Sequence, residues 1–124
     1  MNKLTSIISG CGVCLLMLSC ASHTTFFNPV IKSDVPDPSV IRAGDKYYLA
    51  GTSGNATPVY PIYRSSDLVN WSQIGAIFDM PPAWTKGEFW APELYSHNGK
   101  YYCYYTAKAK SDGISCIGVA VADS

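Results

Sequence analysis

Pro38-Ser39-Val40-Ile41-Arg42-Ala43-Gly44-Asp45-Lys46-Tyr47-Tyr48 returns as Pro92-Glu93-Leu94-Tyr95-Ser96-His97-Asn98-Gly99-Lys100-Tyr101-Tyr102, a shift of 54 positions in fixed register. Each copy is a strand-like run, a turn and a second strand-like run, and repeats of this length built from short β-strands mark propeller blades. Two blades are too few to close a ring. The sequence therefore predicts an all-β chain covering about the first two blades of a larger β-propeller.

Working outward, Val40-Ile41-Arg42, Lys46 to Thr52, Pro61 to Ser65 and Ser72 to Phe78 are short and rich in β-branched and aromatic residues. No amphipathic helical pattern separates them, so they predict one four-stranded antiparallel blade. Gly44-Asp45 and Asn98-Gly99 fall at matching places, and both dipeptides suit tight hairpins that need positive φ. The second copy continues through Lys100 to Thr106 and Cys116 to Val121, then ends at Ala122-Asp123-Ser124. At that point the first copy runs on through Asp67-Leu68-Val69-Asn70-Trp71, which reads as a blade-closing turn with a buried indole, so the chain is expected to stop inside a blade. Tyr47-Tyr48 and Tyr101-Tyr102 could stack on sugars or bases, but their mid-strand register favours packing between adjacent blades.

With 124 residues, 48% of them hydrophobic, the chain has enough apolar content for a packed core. Nine basic and nine acidic side chains form no run of either sign, which excludes nucleic acid and an anionic membrane surface as electrostatic partners. A neutral partner such as a sugar fits better. Lys3, the uncharged stretch from Leu4 to Ser19 and Ser19-Cys20-Ala21 have the build of an export signal. That segment is too short to span as a mature helix. Leu18-Ser19-Cys20 also resembles a bacterial lipobox, which would make Cys20 the lipidated first residue of the mature protein; ordinary secretion and an uncleaved anchor are the alternatives. The expected organisation is a signal peptide over residues 1–20, a spacer over 21–33 and an incomplete propeller domain over 34–124. The only membrane contact would be through the lipid anchor.

Cys11-x-x-Cys14 has zinc-like spacing, yet both lie inside the apolar signal with no second ligand pair. Cys103 and Cys116, on what read as neighbouring strands, are either a disulfide or two small buried thiols. His23 and His97 stand alone, so no metal ligand set is expected within the chain.

Asp37 is the residue with chemical promise. Pro36 and Pro38 restrict the residues before them to extended backbone. The start of an innermost propeller strand faces the central channel, which aims a carboxylate at the natural ligand site. The second copy has Ala91 in its place, so the carboxylate is not required merely to build a blade. A plain turn-capping aspartate is the competing reading.

Asn28-Pro29-Val30, Asp34 to Ile41, Gly44 to Leu49, Ser65 to Trp71 and Phe89-Trp90-Ala91-Pro92-Glu93-Leu94 together resemble glycoside hydrolase family 43, over nearly all of residues 28–124. The resemblance implies a five-bladed propeller that cleaves arabinose- and xylose-containing oligo- or polysaccharides with inversion. It also implies that Asp37 is the general base, which draws a proton from the water attacking the anomeric carbon. The family's glutamate general acid and third acidic residue come from later blades, beyond Ser124. Glu93, in the Trp90-to-Glu93 motif, takes by resemblance a polar contact with substrate or a supporting place rather than proton donation. Trp90 offers either a sugar platform or packing under the site, and Asp34 reads as a turn residue. No cofactor is expected in these residues; some relatives hold a cation in the central channel through residues of later blades.

The expected protein is thus an exported, lipid-anchored, inverting glycosidase acting on α-L-arabinofuranosides or β-D-xylosides of plant polysaccharide. With one of three carboxylates, the 124-residue chain by itself is expected to be inactive. A non-catalytic glycan-binding surface lipoprotein is the alternative. A purely structural propeller protein has no need of Asp37 or of the Trp90-to-Glu93 motif.

Overall fold

In the computed structural model, residues 25–123 are described; the signal segment, Cys11, Cys14, Cys20 and His23 lie outside them. Residues 25–38 form no helix or strand. The chain then makes seven strands: β1 (Ser39–Ala43), β2 (Lys46–Ala50), β3 (Val59–Ser65), β4 (Ser72–Phe78), β5 (Trp90–His97), β6 (Lys100–Lys108) and β7 (Ser115–Asp123). They form a four-stranded sheet, β1-β2-β3-β4, and a three-stranded sheet, β5-β6-β7, all antiparallel. These are two consecutive blades; the repeat had placed the first two strands of each, and the β-branched and aromatic runs the others.

The hairpins follow from local chemistry. Ala43 pairs with Lys46 and His97 with Lys100, which leaves two-residue turns at Gly44-Asp45 and Asn98-Gly99. Asn98 and Gly99 both take positive φ, +48° and +72°, the pattern whose twist matches that of the flanking strands.

The sheets pack face to face, with β5 against β1 and β2. Between them Tyr60 is fully buried; its ring meets Phe89 edge-on at 6.0 Å and Tyr105 at 5.5 Å, while its hydroxyl donates to the Thr106 carbonyl at 2.9 Å. One tyrosine therefore supplies both apolar burial and a polar tie from β3 to β6. A second cluster, Ala50, Leu94 and Cys103, continues the core along the strands.

Alternation sorts the tyrosine pairs by face. Tyr48, Tyr101 and the edge of Tyr102 border the cleft between the sheets, Tyr47 lies beneath the Arg42 guanidinium, and Tyr102 also stacks on Tyr104 at 6.4 Å. Tyr102 is the repeat partner of Tyr48. The face that is covered by the second sheet in the first blade is thus open in the second, where Tyr95, Tyr104, Ile117, Val119 and Val121 are exposed.

The Trp71 expectation is revised, and of the two cysteine readings the free thiols hold, with Cys116 only part-buried. The Trp71 indole is half-buried, and its N–H donates to the Leu68 carbonyl at 3.0 Å. Asp67 organises that turn instead, accepting from the Val69 and Asn70 backbone N–H groups and the Asn70 amide at 2.7 to 2.9 Å. Cys103 and Cys116 are both free thiols: Cys103 pairs with Ala120 and Cys116 with Ala107, four rungs further along the same ladder. Burial, with a smaller contribution from Glu93, pushes the Cys103 thiol up to about 12.

Candidate functional site

The segment Val35-Pro36-Asp37 leads into β1 and is gripped by the residues that follow β2. Gly51 is the contact point. A Cβ there would run into the Val35 γ-methyl and stand 3.3 Å from the Pro36 carbonyl oxygen, so only glycine lets the two backbones come this close. Thr52 adds a backbone bond, its N–H donating to the Pro36 carbonyl at 2.8 Å.

Thr52 then reaches Asp37 itself. Its hydroxyl donates to Asp37 Oδ2 at 2.7 Å and accepts the Ala91 N–H at 2.7 Å. Asp37 and Ala91, the two equivalent positions of the repeat, share one backbone conformation, with φ of +47° and +46°. The extended conformation expected before a proline is therefore not adopted at either place. Proline disfavours the right-handed helical region for the residue before it. The left-handed region costs a residue with a Cβ about 1 to 2 kcal/mol, and here the bonds from Thr52 fall on both residues that occupy it. Ala91 holds the same conformation with only a methyl, so the blade is built without the carboxylate. What the carboxylate adds is an acceptor for the Thr52 hydroxyl.

The rest of the loop after β2 sews the first blade to the start of the second. The Ser53 hydroxyl accepts the Tyr60 N–H, Gly54 exchanges both backbone bonds with Phe89, and Asn55 Oδ1 accepts the Glu88 N–H at 2.8 Å. Lys108 pairs with Glu88 at 2.6 Å, fixing the approach to Trp90. One strand further in, the buried Ser39 hydroxyl accepts the Leu94 N–H at 2.9 Å.

Trp90 is 49% exposed and lies one residue from Ala91, so the same strand start that carries the Thr52 bond carries the indole. Glu93 is exposed on β5 opposite Tyr104, with Pro92 and Leu94 on either side turned into the core. The structure thus brings Asp37 and the Trp90-Ala91 pair to one rim and puts Glu93 further along the strand, on the open face. Asp34, Pro36 and Thr52 border a shallow groove on the outer side of the same loop. His97 stacks on Tyr95 at 6.1 Å. Among the described residues no three His, Cys, Asp or Glu side chains stand together as a metal site.

Sequence reasoning passed over Thr52 and Ser39. The signal for Thr52 was present: carried four residues past Tyr48 and Tyr102, the repeat sets Thr52 against Thr106. Ser39 stands opposite Glu93 in the repeat, and its hydroxyl is a buried link between the blades.

The family model for glycosyl hydrolases family 43 matches residues 26–124. An extracellular exo-α-(1→5)-L-arabinofuranosidase of Cellvibrio japonicus is 39% identical over 113 residues, which are 86% of this chain and 30% of the relative. A β-xylosidase of Bacillus subtilis is 38% identical over 92 residues, which are 69% of this chain and 17% of the relative. Among solved structures, a thermostable family-43 glycoside hydrolase superposes with a TM-score of 0.73 at 33% identity, over 81% of this chain and 33% of that one. The α-L-arabinanase of Cellvibrio cellulosa gives 0.61 at 39% identity, over 73% of this chain and 30% of that one. The chain spans 30% or less of the length of these two curated relatives.

Proposed function

The chain belongs to glycoside hydrolase family 43, and on that premise we propose that its two blades open an inverting glycosidase acting on α-L-arabinofuranosides or β-D-xylosides, with Asp37 as the general base. The observation that carries the proposal is Asp37, a carboxylate absent from the equivalent position of the second blade, fixed at the rim of the innermost strand by the Thr52 hydroxyl. In an inverting hydrolysis one carboxylate takes a proton from water as the water attacks the anomeric carbon. An acid on the opposite face gives a proton to the departing oxygen. The two carboxyls stand roughly 6.5 to 9.5 Å apart to admit the water. Asp37 suits the base: one oxygen is engaged by Thr52 and the other, among the described residues, has no protein partner. The acid and the third carboxylate belong to later blades, and residues 1–124 alone do not turn over substrate.

Trp90 supplies an apolar face for the sugar ring beside Asp37, and Glu93 a polar contact or a support to the pocket. The mature protein is exported and held at a membrane surface by lipid on Cys20. Support for export comes from the build of residues 3–21 and from the extracellular relative. Two experiments on the full-length protein test the proposal. Proton NMR of the first product anomer should show inversion, β-arabinose from an α-arabinofuranoside or α-xylose from a β-xyloside; retention, or no hydrolysis of either, would overturn it. Cys20→Ser should abolish incorporation of labelled lipid, and membrane attachment without any label would contradict the anchor.

A further inference from the structure

Asp37 is one end of a three-member chain, Ala91 N–H to Thr52 Oγ1 to Asp37 Oδ2, with both links at 2.7 Å. The polarity of this chain is fixed by valence. A backbone N–H can only donate, so the Thr52 oxygen is the acceptor toward Ala91 and its single hydroxyl hydrogen is committed to Asp37. A carboxylate oxygen that receives this hydrogen is held in one orientation. Its partner oxygen has no protein partner among the described residues, and Asp37 is exposed.

The second blade supplies an internal control. Thr106 occupies the same repeat position as Thr52, and its hydroxyl donates to the Trp90 backbone carbonyl at 3.0 Å. Where the blade has Ala91 in place of a carboxylate, the threonine serves only the backbone; where it has Asp37, the hydroxyl serves the acid. Thr52 also ties Asp37 to the strand start that carries Trp90, so one hydroxyl sets the spacing between the acid on the first blade and the indole on the second.

We infer that Thr52 is the positioning residue of the general base: it orients the Asp37 carboxylate for proton transfer and locks that orientation to the second blade. The inference rests on the assignment of Asp37 as base, and the test separates the two. In the full-length protein, with an aryl arabinofuranoside or xyloside as substrate, Thr52→Val keeps the branched shape and removes the hydroxyl. It should lower kcat about tenfold to a hundredfold, the worth of a hydrogen bond to a charged group, with KM within about twofold. Thr52→Ser keeps the hydroxyl and should hold kcat within about threefold of the parent. That expectation stands even where the valine variant does not fold, and a serine variant as slow as the valine variant would overturn the inference.

A double-mutant comparison removes the base altogether. In Asp37→Gly, added azide attacks the anomeric carbon as an anion that has no proton to lose, the aglycone leaves with the acid's proton, and a glycosyl azide of inverted configuration forms. Adding Thr52→Val to Asp37→Gly should leave this azide-dependent rate within about twofold, because there is no longer a base to position. A fall as large as that seen in the parent would mean that Thr52 acts only through the fold, and would overturn the inference. An Asp37→Gly protein as active as the parent without azide would remove the base assignment itself. A dead Asp37→Gly protein beside an unimpaired Thr52→Val protein would overturn the Thr52 role alone.

Discussion

Gly51→Ala should disarm the site without touching any group that meets substrate. Its added methyl would lie against the Val35 γ-methyl, well inside the roughly 3.5 to 4.0 Å at which carbon atoms rest, with the Pro36 carbonyl behind it at 3.3 Å. Val35 is β-branched and has little rotamer freedom, so the relief falls on the backbone of residues 35–37. A retreat of about 1 Å would stretch the Thr52 bond to Pro36 and with it the Thr52 bond to Asp37. Overpacking of this kind costs about 1 to 3 kcal/mol, and the half-exposed Val35 puts the expectation at the lower end. The loss in rate is larger, because misplacing a reacting group by about 1 Å costs on the order of a hundredfold. The assay is kcat of the full-length protein on an aryl pentoside, beside its denaturant midpoint. Gly51→Ala should show the hundredfold fall with a modest loss of stability, and Val35→Ala added to it should recover most of the rate by making room for the methyl. A Gly51→Ala protein with unchanged kcat, or a double variant with no recovery, would refute the idea that residues 51 and 52 hold Asp37 in place.

Three further outcomes follow from the packing. Tyr60→Phe should lower stability by about 0.5 to 1.5 kcal/mol through loss of the bond to the Thr106 carbonyl, and Tyr60→Ala by about 3 to 5 kcal/mol through the cavity, both read from denaturant midpoints. Backbone and side-chain N–H groups of Asn70, then the Val69 N–H, hold the Asp67 carboxyl well below its ordinary value of 3.8. Its contribution is therefore present above 3.8 and is lost as pH falls toward the depressed folded-state value, so Asp67→Ala should be less stable than the parent at pH 6 and the gap should narrow below pH 3.8 in acid-denaturation curves. Alkylation mapped by mass spectrometry should label Cys116 in the native protein and Cys103 only after unfolding, because Cys103 is buried and its thiol is pushed up to about 12; two unreactive cysteines would instead indicate a disulfide.

The architecture was legible because a propeller blade writes itself twice. The recurrence of glycine, lysine and paired tyrosines placed β1, β2, β5 and β6, runs of β-branched and aromatic residues placed the other three strands, and Asn98-Gly99 announced its hairpin through backbone sterics alone. Asp37 emerged from the same comparison, as the carboxylate standing against Ala91. What escaped were contacts made between the copies. Thr52 and Ser39 are ordinary strand-end residues in sequence, and their roles arise only when the second blade brings the Ala91 and Leu94 N–H groups to them. The left-handed backbone at Asp37 escaped as well: the local preference of a residue before proline points elsewhere, and tertiary bonds override it. Trp71 failed in the opposite sense, since an indole beside a turn suggests burial while Asp67 carries the turn through hydrogen bonds that leave the ring half in water.

The central claim is that Asp37 is the base of an inverting pentosidase, and the most direct test is kcat/KM of full-length Asp37→Ala against the parent on an aryl α-L-arabinofuranoside and an aryl β-D-xyloside. General-base catalysis contributes about a hundredfold to ten-thousandfold, so the variant should lose that much on whichever substrate the parent cleaves. Activity within about threefold of the parent would contradict the assignment and leave Asp37 as a residue of the turn alone.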